Sequence, residues 1–427
     1  MTNDAGINRT TLWFLIATDL FVFQNALEGV SGIFSYIDEA AAAALFVLAI
    51  MYPDRFRLLA DKGKYLILCL AGFLVAGLIG NVLYHYQPAA SVLKDLFTNM
   101  KFYLTIGTSY LIFCNSESLL DQCVVRRNLK MITIILLLLF LVDRVFHIWP
   151  SEVRYGIMAA KLFYSHPTYL AGALVFLLAL LIAFYDSSCF WFIAADDVML
   201  MFTLRGKAIA AAFICFGIVI WTIVLRHKIY RRHVALAGIA AGAIGIREIS
   251  YYYIDLKDSG ARAVMMKTAF KIMHDYFPIG TGFGTYASDA AQNDYSPVYI
   301  KYGFLDVGEL TYNFRLYMND TFWPIIFGQT GAIGTVFYIL MLIIVFKEVW
   351  KLHNGNQMHF NGCLFAFIYT LISSAGEPAY NNSVAIPLAF LLGTCFGMMT
   401  SESAGNGMRL ERGKLQDISH MSDCSGQ

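Results

Sequence analysis

The sequence is short of charge. Asp, Glu, Lys and Arg make up 14% of its 427 residues, where a soluble domain carries roughly 25%. What charge there is nearly cancels, to a formal net of +1, so the basic surface that a nucleic-acid partner needs is absent and no nucleic acid is expected. Metal-ligand patterns are missing too. The eight cysteines (Cys69, Cys114, Cys123, Cys189, Cys215, Cys363, Cys395 and Cys424) are scattered without a CxxC pair, and the nine histidines form no HExxH. They read as packing residues, which excludes a disulfide framework or a zinc site; no metal and no cofactor is expected. The opening stretch MTNDAGINRTTLWFLIATDLFVFQ has a weakly basic start, an aspartate inside its apolar run and no small-residue cleavage site behind it. It is therefore expected to remain as a membrane helix rather than to be removed as a leader. Internal repeats and low-complexity tracts are likewise missing.

What the chain has instead is apolar length. Hydrophobic residues make up 58% of it and its mean hydropathy is +0.59. Runs of about 20 apolar residues, enough to cross a bilayer as a helix, recur from end to end. The expected fold class is all-α, a polytopic integral membrane protein with about twelve transmembrane helices and one large extracytoplasmic loop. The spans are placed at 11–28, 31–52, 65–84, 95–114, 130–149, 168–185, 188–203, 207–226, 233–247, 322–346, 359–376 and 383–401. With a cytoplasmic N-terminus, the basic loops 53–64, 115–130, 226–233 and 347–357 and the tail segment MRLERGK all fall on the cytoplasmic side, as the positive-inside rule asks. The organisation is then 1–247, membrane helices in about nine spans; 248–321, an extracytoplasmic loop; 322–401, about three further spans; and 402–427, a polar cytoplasmic tail expected to be disordered.

Charges on the outer side stand out against this pattern. Arg205 and Lys207 sit in TLRGKA at the mouth between two spans, where a basic pair runs against the positive-inside trend; a snorkelling arginine is the plain alternative. Arg262 opens a helix expected over 260–275, capped by Asp258 or Ser259. Met265, Met266, Ala269, Ile272, Met273 and Tyr276 recur on one face of it, as in an amphipathic helix lying on the membrane. An arginine in a first helical turn adds a bidentate fork to backbone N–H groups that already favour an anion; a surface pair with Asp258 is the rival reading. GTGFG at 280–284 follows a helix and Pro278, not a strand, so it reads as a tight turn and not a dinucleotide loop. Ten tyrosines between 251 and 317, Tyr286 among them, suit either an interfacial belt or a sugar-stacking groove. Asn319 and Asp320 precede an apolar helix, where a proton acceptor and a helix cap are both open. Asp19, Asp38, Glu39, Lys101, Asp143, Arg144, Asp196 and Asp197 fall inside or near spans; Asp197 and Lys101 are candidate partners for Arg205, and structural ion pairs are the alternative.

Four segments, in order, resemble the O-antigen polymerase/ligase superfamily of bacterial envelope glycan enzymes. FYSHPTYLAGALVFLL (163–178), LRGKAIAAAF (204–213), GARAVMMKTAFKIMHDYFPIGTGFGTY (260–286) and NDTFWPIIFGQTGAIGTVFYI (319–339) are similar to its conserved elements, covering about residues 160–345. The resemblance implies undecaprenyl-diphosphate-linked glycans as substrates at the outer face of the inner membrane, membrane lipids as surroundings, metal-independent inverting glycosyl transfer, and both termini in the cytoplasm. It leaves a polysaccharide chain-length regulator open as a protein partner. The family's essential arginines map to Arg205 and Arg262. Asp320, with Glu309 as second choice, is the expected base, and Lys207, Asn319, Tyr286 and His166 are the expected substrate contacts. Ligases of the family carry a histidine that falls here near Met318 or Asn319. Its absence favours a polymerase of repeat units over a ligase to lipid A-core; a lipid-linked sugar transporter is the reading from another class.

Overall fold

The computed structural model describes residues 8–29, 31–51, 53–114, 120–235 and 260–400. It is a helical protein; the only strands among the described residues are β1 (Val153–Arg154) and β2 (Ile157–Met158), an antiparallel pair. The chain runs through α1 (Arg9–Glu28), α2 (Ile37–Ile50), α3 (Pro53–Lys62), α4 (Lys64–Tyr84), α5 (Ala89–Phe113), α6 (Gln122–Phe146), α7 (Pro167–Ala183), α8 (Phe190–Met201) and α9 (Gly206–Val219). After the undescribed residues come α10 (Ala261–Asp275), the short α11 (Asp289–Asp294) and α12 (Pro297–Lys301), then α13 (Trp323–Leu352), α14 (Gln357–Ser373) and α15 (Ala385–Thr400).

Four helices among the described residues are long and apolar enough to cross a membrane: α1, α4, α9 with its π-helical extension to Val224, and α13. The expected span at 188–203 is the 12-residue α8, which at 1.5 Å per residue rises only about 18 Å. Most of the expected span at 233–247, and the tail, lie outside the described residues.

At the centre stands α7. Every residue from Leu170 to Ala183 is buried, as expected of a helix apolar on all sides. It packs against α14, α8 and α1. The bundle has two distinct ends. At one, Arg55 caps the last carbonyls of α5, donating to Leu111 O at 3.0 Å and Ile112 O at 2.8 Å, and Arg231 lies 5.5 Å from the Trp350 ring. Lys62, Glu348 and Lys351 line one cavity, so loops 53–64, 226–233 and 347–357, three of the four basic loops, gather at this end. The other end carries Arg205 and the segment from 260 to 322.

That segment has its own core of Met265, Ala269, Ile272, Tyr276, Tyr286 and Tyr299 with their neighbours. This corrects the expectation for α10. Four of its six predicted apolar positions are buried as the spacing required, but against protein, beside α13, and not against lipid. Its N-cap is Gly260, without a side-chain cap bond; Asp258 and Ser259 lie outside the described residues.

The GTGFG turn docks on a break in α13. Gly331, at φ 60° and ψ −157°, interrupts that helix. The carbonyls of Gly328 and Gln329 accept from Thr281 N at 3.0 Å and Gly282 N at 2.8 Å, while Ile333 N donates to Pro278 O at 3.1 Å. Backbone groups freed by the break are thus satisfied inside the protein, the condition for irregular backbone at membrane depth. On the other side, Asn81 of α4 donates to Phe283 O at 2.9 Å and accepts from Phe283 N at 2.8 Å. Glycine is required at this turn: a Cβ on Gly280 would stand 2.5 Å from the Gln329 carbonyl carbon, and one on Gly282, at φ +99°, 2.5 Å from Asn81 N.

The charges expected inside spans find partners within the protein, some of them cations and some neutral donors. Lys101 contacts Asp38 and donates to Glu39 at 3.0 Å, and Gln24 donates to Asp38 at 2.9 Å. Thr133 donates to Asp196 at 2.9 Å, Asn128 to Asp19 at 2.7 Å, and Arg144 to Asp143 at 2.7 Å. Neither Lys101 nor Asp197 serves Arg205. Lys101 is taken by two carboxylates, and Asp197 turns to Cys215.

Candidate active site

Arg205 is the residue at which the chain turns into α9, extended at φ −91° and ψ 132°. Its guanidinium contacts the Glu152 carboxylate and lies 2.8 Å from His166 Nε2, and its Nε is buried without a hydrogen-bond partner. Burial and the nearby Arg154 charge pull the Arg205 pKa down, and Glu152 opposes them. Partial burial works against the Glu152 charge, yet the Arg154 hydrogen bond and the Arg205 charge together hold that carboxylate below its ordinary pKa.

His166 occupies the N-cap position of α7, with Nδ1 3.3 Å from Thr168 N. Arginine only donates, so the Nε2 facing it must be the bare nitrogen and the proton must sit on Nδ1. The 2.8 Å charge-assisted contact outweighs the longer one to Thr168. Burial first, and the Arg205 charge second, lower the His166 pKa, which favours the neutral ring.

Lys207, one residue into α9, pairs with Glu377 on the loop between α14 and α15. It is close enough to both Arg205 and Arg262 to feel their charges. Arg262, on the first turn of α10, faces Asp320 at 3.6 Å. That separation is an ion pair and too long for a hydrogen bond. Three cations from two helices that are distant in sequence therefore meet at one mouth of the bundle.

A polar cleft of about 220 Å³ adjoins them. Lys94 and Asp95 of α5, Tyr169 of α7, Asp289 of α11, Asn319 and the 378–382 loop line it. Asn319 donates to Asp289. The Asp95 carboxylate accepts from Gly284 N at 2.8 Å, which ties the cleft floor to the docked turn.

Six of the eight expected site residues thus lie in or beside this mouth: Arg205, Lys207, Arg262, His166, Asn319 and Asp320. Two do not. Tyr286 is fully buried and donates to Met265 O at 2.7 Å, so it is a core residue with no face open to a glycan. Tyr276, Tyr295 and Tyr299 are buried with it, while Tyr251, Tyr252 and Tyr253 lie outside the described residues. Glu309 is exposed on a one-turn 3₁₀ segment (Gly308–Leu310) and does not line the cleft. Sequence reasoning missed Glu152, Glu377 and Asp289. Topology alone could have marked Glu377, because the turn between the last two expected spans falls on the outer side and GEPAYNN holds a single carboxylate.

Comparison with known protein families and with curated proteins finds no match to this chain.

Proposed function

We propose that the protein joins lipid-linked oligosaccharide repeat units into a longer polysaccharide at the outer face of a bacterial inner membrane. The observation that carries the reading is the meeting of Arg205, Lys207 and Arg262 beside a polar cleft, at the end of the bundle opposite the basic loops. An arginine fork suits the oxygens of a diphosphate, and the asparagine, serine and threonine side chains in the cleft suit sugar hydroxyls. The full proposal includes about twelve spans, with both termini cytoplasmic, and undecaprenyl diphosphate as the leaving group.

In this mechanism an acceptor hydroxyl attacks the anomeric carbon of the growing chain from the face opposite the diphosphate. The bond from that carbon to the diphosphate oxygen breaks, and the leaving group departs with the electron pair. Arg205 and Arg262 offset the charge gathering on it, an electrostatic contribution typically on the order of 10²–10³ in rate for each donor removed. Glu152, His166 and Asp320 hold the two guanidinium groups in place before the substrate arrives.

Deletion of the gene tests the reading. A polymerase deletion leaves single repeat units on the surface glycan. A ligase deletion leaves full-length polymer on the carrier lipid, and an unchanged ladder would remove both assignments.

A further inference from the structure

We infer that the cleft is the acceptor-sugar subsite and that Asp289, not Asp320 or Glu309, takes the proton from the attacking hydroxyl. The inference rests on the polymerase reading and makes it specific.

Three chain segments each place one residue among the cations and a neighbour in the cleft. His166 touches Arg205 while Tyr169, in the same turn, lines the cleft. Asp320 faces Arg262 while Asn319 lines the cleft. Glu377 holds Lys207 while Pro378 lines the cleft. A molecule in the cleft is therefore adjacent to a diphosphate held by the cations, which is the relation that acceptor and leaving group require. The cleft's 220 Å³ is below the roughly 300–1,000 Å³ of a pocket for a whole drug-sized ligand, so it suits one unit of a longer substrate.

Of the carboxylates here, Asp320 is turned to Arg262 at 3.6 Å and does not line the cleft, and Asp95 lines it but is buried, its carboxylate accepting from Gly284 N and Asn99. Glu309 is outside the cleft. Asp289 lines it and is exposed to it, and among the described residues it has no ion-pair partner; the neutral Asn319 amide orients it. In the step, the acceptor oxygen forms the new glycosidic bond, its proton passes to the Asp289 carboxylate, and the diphosphate leaves with the electron pair.

The test uses full-length protein expressed in the deletion strain, with protein level followed by immunoblot and chain length by gel. Asp289→Asn is expected to cut chain growth by about 10²-fold or more, with Asp289→Glu recovering part of it. Asn319→Ala, which removes the amide that orients Asp289 and keeps the carboxylate, is expected to lose clearly less than Asp289→Asn. Normal chain growth by Asp289→Asn overturns the inference. So does an Asn319→Ala loss equal to that of Asp289→Asn, which would make the carboxylate a support for Asn319. The broader reading fails separately: if Arg205→Ala abolishes growth and Asp289→Asn does not, only the base assignment falls, whereas a normal ladder in the deletion strain itself removes both.

Discussion

At the residue scale, His166 carries the clearest consequence. Its pKa is lowered by burial and by Arg205, so the folded protein prefers the neutral ring. The contact to Arg205 is complete above about pH 6.5, the ordinary histidine value, and is lost as pH falls through the lower folded value. The rate of chain growth should therefore decline on the acid side, below about pH 6.5. In His166→Gln, whose side-chain oxygen accepts from Arg205 without titrating, that decline should disappear. A pH–rate profile of the two proteins in vesicles checks this, and an unchanged acid limb would show that His166 does not set it. Residue identities were well exposed in the sequence: outer-side arginines are conspicuous where most of the chain is apolar. Their partners were hidden, because Arg205 to Glu152 is a contact across 53 positions and no local pattern encodes it.

At the scale of elements, the helix spacing of α10 was legible and its surroundings were not. Periodicity says which face is apolar, while what covers that face depends on a segment some 20 to 60 residues further on. The glycine turn is the same kind of case. Its composition marked a turn, but the reason for its glycines is close approach, of Gly280 to α13 and of Gly282 to α4, and at Gly284 a positive φ of +75°. Gly280→Ala should destabilise the protein by about 1–3 kcal/mol, the usual range for forcing extra volume into a packed site. Gly217→Ala, where an added Cβ meets nothing within 4 Å, should be neutral or slightly stabilising because alanine is the better helix former. Thermal unfolding of both variants in detergent makes the comparison; equal stability would mean that the turn is not wedged against the broken helix.

On the scale of the whole molecule, apolar length announced a helical membrane protein, and among the described residues four helices are long and apolar enough to cross a membrane. The short α8 and the interrupted α13 could not be read from hydropathy, which measures composition and is blind to a backbone that breaks where a neighbouring turn satisfies it. The division of charge between the two ends is the feature that unites fold and site: basic loops gather at one end, and Arg205, Lys207 and Arg262 meet at the other.

The most direct test of the account is glycan chain length in cells carrying Arg205→Ala or Arg262→Ala, with protein levels shown to be normal. The account predicts that each substitution lowers chain growth on the order of 10²–10³, leaving mainly single repeat units. Full-length polymer in both variants would contradict it.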